Sequence, residues 1–467
     1  MAETAELIPA RIRVPRAAQR HGPYFVWAAA SAATWVVAAS LAGGQSPVAL
    51  AILGVSGLFA AVRAAQSRPI PALAALAYLA AVEPAVRRYA SELPYFALQY
   101  LTAGVLGLLL LRRRPQRVPA ALVLYAIYFC LELAGLLQAE SMTHARAVLV
   151  PSGLLFLFVL VSTLVPLSLG DALKVLDGFL VGAVSLAALV GRAYVTGEAI
   201  QWTRESNWVT SGDMGPNQVS VLLGLGALVA WVRARDLWRP AKLTLLAMSA
   251  TSALLMLLTF SRGGAYILAG ALFVYTLLSG RGPARTAGSL AAGCALAAVA
   301  VWLAAERSEG RLLERYADRD PSNRLVLFDH GWRMFVDHPL TGVGTGRYYQ
   351  VVSGIDYFGV TSGAHNELTR AMAEHGLVGL AIWCAFGAAL LARALRLRSR
   401  DSRALAFALA ASAVASMLYN GLKLTIQPVW VLLALGLGDP PRRTEPPTGL
   451  RASPPATGRP WYPGRPA

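Results

Sequence analysis

Apolar runs of bilayer-spanning length recur from residue 24 to residue 438 of this chain, and one polar interval, 305–367, interrupts them. A crossing needs about 20 apolar residues, fewer where the helix is shielded by its neighbours. Expected spans lie near 24–42, 48–62, 70–82, 93–111, 118–137, 147–167, 172–194, 217–232, 242–260, 263–279, 286–304, 367–392, 404–420 and 424–438. The short runs at 70–82 and 424–438 suit re-entrant or interfacial pieces as well as full spans. The pattern therefore predicts an all-α polytopic membrane protein with about 12–14 transmembrane helices. Small-residue runs at 28–33 and 291–300 suit close helix packing in lipid.

Basic residues orient the bundle, because loops rich in Lys and Arg stay on the cytoplasmic side. Arg63 and Arg68, Arg112, Arg113, Arg114 and Arg117, Lys174, Arg233, Arg235 and Arg239, Arg281 and Arg285, and the arginines of 393–403 all fall on one side. The N-terminal arginines Arg11, Arg13, Arg16 and Arg20 share that side. The loops 43–47, 83–92, 138–146, 194–216, 260–264, 305–367 and 421–425 fall on the other. The long polar interval thus faces away from the cytoplasm. Expected segments are a cytoplasmic tail 1–23, a helical bundle 24–304, a mainly helical outward loop domain 305–366, further membrane helices 367–438 and a disordered cytoplasmic tail 439–467. The last is too rich in Pro, Gly and Arg to bury a core. The first apolar run begins too late for a cleavable signal and reads as a retained span.

Composition agrees. The 467 residues are 56% hydrophobic and 14% charged, with mean hydropathy +0.51, too little charge for a soluble surface. The net charge of +17 would suggest nucleic acid in a soluble protein. Here the arginines flank apolar runs, which fits topology and anionic membrane lipids and excludes nucleic acid. Cys130, Cys294 and Cys384 sit in apolar segments without CxxC spacing, so neither disulfide nor zinc is indicated, and they read as small core residues.

Within the polar interval, Asp320-Pro321-Ser322 suits a helix start, and Leu325, Phe328, Trp332, Phe335 and Val336 form an apolar stripe at helical spacing. Pro339 disfavours helix geometry at the residue before it, so this helix should stop near His338. A shorter amphipathic piece, 311–319, is expected along the membrane surface. Asn366 suits the cap of the helix that re-enters the membrane.

Few side chains offer chemistry. His338 can accept a proton near neutral pH, or it can be a capping histidine beside Pro339. Gly342, Gly344 and Gly346 offer backbone N–H groups to an anion, in a spacing that is no nucleotide motif. Arg262 sits in a minimal turn between two apolar runs, a costly place without an anion or a wet cavity; the plainer role is snorkelling to lipid phosphates. Arg192 and Arg204 fall on the same side as Arg262, and several guanidinium groups on one face suit a phosphate-rich ligand. Lys423 at the last outward turn could join them or anchor topology. His365 and Asn366 border the membrane, where acceptor binding and helix capping are both open. His330, His338, His365 and Asp337 are too irregularly spaced to predict a metal. Nothing calls for a cofactor or an obligate protein partner.

Ser261-Arg262-Gly263-Gly264, the run from Asp337 to Gly344, His365-Asn366-Glu367 and the run from Glu374 to Gly379 together resemble the O-antigen ligase and polymerase superfamily. The resemblance implies a GT-C-like helical membrane fold in the bacterial inner membrane, with its active site facing the periplasm. It implies glycan transfer from a polyprenyl pyrophosphate carrier without nucleotide or metal. The expected activity is that of a ligase moving O-antigen from undecaprenyl pyrophosphate onto a lipid A-core hydroxyl. A polymerase or a protein O-oligosaccharyltransferase differs only in acceptor, and a lipid-linked glycan transporter is the rival of another class. In the ligase expectation, Arg262 with Arg192 or Arg204 binds pyrophosphate, His338 and Arg262 are catalytic, and Gly344, Arg347, His365 and Asn366 are possible substrate contacts.

Overall fold

The computed structural model describes residues 22–438 except 42–45, 112–117, 197–199, 201, 203–205, 207, 236–238, 281, 318–323, 355, 358–359 and 362–365. The chain is helical nearly throughout. In order come α1 (Gly22–Leu41), α2 (Pro47–Ala65), α3 (Pro69–Ala81), α4 (Glu83–Tyr89), α5 (Ala97–Leu111), α6 (Ala120–Ala134), α7 (Met142–Ser162), α8 (Leu169–Val195) and α9 (Pro216–Ala234). Then follow α10 (Arg239–Leu258), α11 (Arg262–Ser279), α12 (Pro283–Arg307), α13 (Arg311–Ala317), α14 (Arg324–Asp337), α15 (Arg347–Ser353), α16 (Glu367–Leu395), α17 (Arg400–Asn420) and α18 (Ile426–Gly436). The two-residue strands β1 (Asp356–Tyr357) and β2 (Val360–Thr361) pair antiparallel.

Among the described residues, ten helices are long and apolar enough to cross a membrane. The helices α3 and α4, which meet at 59°, pass the same test only when taken together as one bent pair. Phe25–Ser40, Ala97–Leu111 and Ile426–Gly436 are shorter apolar helices. This is an all-α polytopic membrane protein. The short run near 70–82 is half of that bent pair, and Pro84 at the start of α4 helps explain the break.

Polar bonds tie the helices where apolar contact gives little preference over lipid. Tyr78 on α3 accepts from Trp35 Nε1 on α1 at 2.9 Å, and Ser31 meets both Tyr78 and Ser185 of α8. Arg233 of α9 grips Asp177 of α8 with two nitrogens, at 2.6 and 3.0 Å.

The loops gather into two sets, as the alternation of basic loops requires. At one end, Thr425 N donates to Glu83, Leu422 N to Glu367, Asn420 Nδ2 to the Asn217 carbonyl and Thr345 N to the Gly135 carbonyl. At the other, Leu167 bridges Leu437, Arg393 donates to the Leu437 carbonyl and Arg400 to the Leu278 carbonyl. The first set contains every site-bearing loop; it is the end that the basic-loop alternation expects to face away from the cytoplasm, and it is termed the outward end on that expectation.

One local expectation changes, and two details are added. Cys130, Cys294 and Cys384 are exposed rather than core, placing them on the outside of the bundle where an apolar thiol can meet lipid. The stripe on α14 also faces out: Leu325, Phe328, Trp332 and Val336 are exposed, while Leu327 and Gly331 make the packed side. Gly331 sets that choice, because a Cβ there would stand 2.4 Å from the Thr369 methyl of α16. Finally, α14 starts at Arg324, and Asp320-Pro321-Ser322 lies outside the described residues. The helix does end at Asp337, immediately before His338 and Pro339.

Candidate active site

The Ser261-Arg262-Gly263-Gly264 turn is built from both sides. Phe260 is buried and holds a left-handed backbone, φ 58°, a conformation that costs a bulky residue about 1–3 kcal/mol. Its ring stacks on Trp202, with centroids 5.4 Å apart. Ser261 Oγ donates to Asn217 Oδ1 at 2.7 Å, and the Ser261 carbonyl accepts from Ser220 Oγ at 3.0 Å. A Cβ on Gly263 would lie 1.8 Å from the Tyr419 ring, and one on Gly264 2.3 Å from the Ser220 carbonyl oxygen. The two glycines let α9 and α17 close on α11, leaving Arg262 half-buried at the first position of that helix.

Around Arg262 the outward end collects cations that sequence spacing did not reveal. Arg315 on α13 reaches the Phe260 carbonyl at 3.5 Å. The Arg324 guanidinium lies 3.4 Å from the centroid of the Tyr419 ring, the same ring that covers Gly263. The Tyr316 hydroxyl is buried without a hydrogen-bond partner, within electrostatic reach of Arg262, Arg315, Tyr266 and Tyr419. Burial pushes its phenol above the ordinary range, and the two arginines pull the other way. Arg192 closes α8 at the same end, joined to the turn through the stack of Tyr194, Trp202 and Phe260. Arg204 lies outside the described residues.

His338 is exposed, just past the end of α14. Its carbonyl accepts from Gly342 N at 3.0 Å, closing a tight turn. Because Arg324 begins α14 and His338 follows it, the two ends are about 20 Å apart at 1.5 Å per residue. Arginine group and imidazole therefore stand at opposite ends of α14.

The glycine loop does different work from that expected. Val343 N donates to the Ala373 carbonyl, Gly344 N to the Glu374 carbonyl, Thr345 N to the Gly135 carbonyl and Gly346 N to Glu374 Oε1. These N–H groups are spent inside the protein, so the loop is a docking strap and no anion cradle. Gly342 has φ 70°, and a Cβ on it would lie 2.2 Å from the Glu374 carbonyl carbon. The strap seats on a kink: Gly376 breaks α16 with φ 61° and ψ −153°, and Leu377 N donates to the Pro339 carbonyl at 2.8 Å. Gly344 itself is buried against Gln138.

Beneath the strap lies a charged node. Arg370 donates to Glu367, Glu374, Glu132 and the Tyr128 hydroxyl at 2.8, 2.9, 2.7 and 3.2 Å. The four charged side chains are between 0 and 7% exposed. Each carboxyl group has a second donor: Ser152 for Glu132, Leu422 N for Glu367 and Gly346 N for Glu374. One guanidinium thus fixes α6, the strap behind His338 and the 421–425 turn.

The remaining candidates are placed simply. Arg347 pairs with Glu140 and keeps a third of its side chain exposed. Asn366 caps α16, accepting from Leu368 N and Thr369 N. His365 lies outside the described residues. Lys423 is half-buried between Glu367 and Arg87; burial pulls its ammonium down to about 8, with Glu367 acting against that.

The Arg262 turn, the three-arginine group, His338, the strap and Arg370 all fall between α10 and the middle of α16. Residues 245–384 match a family model described as O-antigen ligase. A comparison with curated proteins gives no match. The matched segment carries both candidate catalytic residues, whereas Arg192, Glu132 and Lys423 lie beyond it and reach it through the fold. Arg315, Arg324 and Arg370 are inside the segment and were not read from spacing. Arg370 did leave a signal: acids three residues before and four after it share one helix face in an apolar segment.

Proposed function

We propose that the protein is an inner-membrane glycosyltransferase that moves O-antigen from undecaprenyl pyrophosphate to a lipid A-core hydroxyl, at a site facing the periplasm. The observation that carries this reading is the grouping of Arg262, Arg315 and Arg324 at the outward end of an O-antigen ligase segment. A guanidinium fork fits phosphate oxygens in pairs, and a half-buried site raises its worth. The carrier's diphosphate is itself the leaving group, so no nucleotide is consumed.

In the step, the acceptor oxygen attacks the anomeric carbon and the bond from that carbon to the diphosphate oxygen breaks. The acceptor proton passes to His338, and the charge that grows on the departing diphosphate falls on the arginines. Attack and departure take place on opposite faces of the sugar, so the base and the cation group act from opposite sides of it.

Arg262→Ala should abolish transfer, and Arg262→Lys should restore little of it, because an ammonium cannot reproduce a two-point fork. Binding of a polyprenyl diphosphate to the purified variants, measured beside transfer, checks this; near-normal activity in Arg262→Lys would refute the fork. The orientation has its own test. In a background without the native cysteines, Arg333→Cys on α14 should react with an impermeant maleimide added to spheroplasts, and Lys174→Cys should not. Both side chains are well exposed, at 72 and 68%. The opposite labelling pattern would invert the topology.

A further inference from the structure

Away from the arginine group, the outward end carries a second polar surface that the transfer step does not use. Arg87 on α4 is pinned by Glu83 and by the Lys423 carbonyl at 3.2 Å. Its guanidinium lies 4.2 Å from the centroid of the Tyr95 ring and donates to the Tyr95 hydroxyl at 2.7 Å. Phe96 buttresses Tyr95 edge-on at 5.0 Å, yet Tyr95 remains 59% exposed. Tyr349 on α15 stands within electrostatic reach of Tyr95 and Arg87, and its ring centroid is 5.8 Å from that of His144. His144 is held by Ser141 at 2.9 Å through Nδ1 and by Ser353 at 3.1 Å through Nε2.

We propose that Arg87, Tyr95, Tyr349 and His144 form a carbohydrate-binding strip that holds the glycan part of a substrate at the outward end. The proposal rests on the transferase reading above and adds where the sugar chain lies. A pyranose has an apolar C–H face and a rim of hydroxyls. Tyrosine matches it with an apolar ring and a polar tip; Arg87, fixed by its partners, keeps one Nη1 hydrogen for the rim, and His144, held through both ring nitrogens, sets the position of the Tyr349 ring. The strip is also tied to the charged node beneath the strap, since Arg87 holds the turn that Glu367 of that node caps at Leu422. Tyrosines at span ends commonly anchor a protein in the headgroup layer. Such an anchor needs neither an arginine locked across the ring nor a histidine fixed between two serines.

The test uses the full chain in phosphatidylcholine nanodiscs and a lipid-free core oligosaccharide released from lipopolysaccharide by mild acid. Saturation-transfer NMR should show the sugar binding to the wild type. Tyr95→Ala and Tyr349→Ala, checked as monodisperse, should weaken it about tenfold, the loss expected when a stacking contact goes. Tyr95→Phe should keep most of the affinity. In transfer assays the alanine variants should raise KM for the glycan substrate and spare kcat. Unchanged affinity in both alanine variants would overturn the strip and make the tyrosines bilayer anchors. Absence of binding to the wild type would overturn it as well. The transferase reading is judged separately, by the loss of transfer in Arg262→Ala.

Discussion

Arg370→Leu should cost about 3–5 kcal/mol of stability, the penalty for removing one partner of a buried ion pair while the other stays. Here three carboxyl groups stay, each less than a tenth exposed. The variant should express poorly and lose its monodisperse peak in mild detergent at a much lower temperature than the wild type. Arg370→Lys should fall between, because an ammonium keeps the charge but cannot span four acceptors set around a planar fork. The node also carries function: Glu374 gives one carboxyl oxygen to Arg370 and the other to Gly346 N, in the strap behind His338. Glu374→Gln should therefore fold better than Arg370→Leu yet transfer more slowly than wild type. A midpoint temperature for Arg370→Leu within a few degrees of wild type would show that the charges are not paired as described.

His338→Ala should leave the fold intact and lower transfer about 10²–10⁴-fold, the usual cost of a lost general base. Folding should survive because the side chain is exposed and the turn is closed by the His338 carbonyl, which alanine retains. Carrier binding and rate at saturation are to be measured separately. Retained binding with a collapsed rate supports the base. Lost binding with a normal rate at saturation would make His338 a diphosphate ligand, and full activity in the variant would make it a cap.

The sequence exposed what hydropathy and local stereochemistry control. Span positions, the two loop sets, the helix stop at Pro339 and the cap at Asn366 each depend on a few neighbouring residues. Contacts across the chain were hidden. Glu132 and Arg370 are 238 positions apart, and no local pattern pairs them. The glycine loop looked like an anion cradle because free N–H groups and docked ones are written with the same residues; only the kink at Gly376 shows where they go. The α14 stripe was legible as a helical repeat, but not which way it turns: Leu325, Phe328, Trp332 and Val336 are exposed because Gly331 makes the packed side. Arg315 and Arg324 flank a stretch outside the described residues and read as ordinary surface charges until α13 and α14 bring them to Tyr316 and Tyr419.

The central claim concerns the acceptor, and the lipopolysaccharide banding pattern of a strain lacking this gene tests it most directly. The ligase reading predicts loss of every rung of the O-antigen ladder with the lipid A-core band retained, restored by the wild-type gene and not by one carrying Arg262→Ala. A core band capped by a single repeat unit would contradict it, because that pattern means that joining to the core proceeds without this protein and only chain growth has stopped.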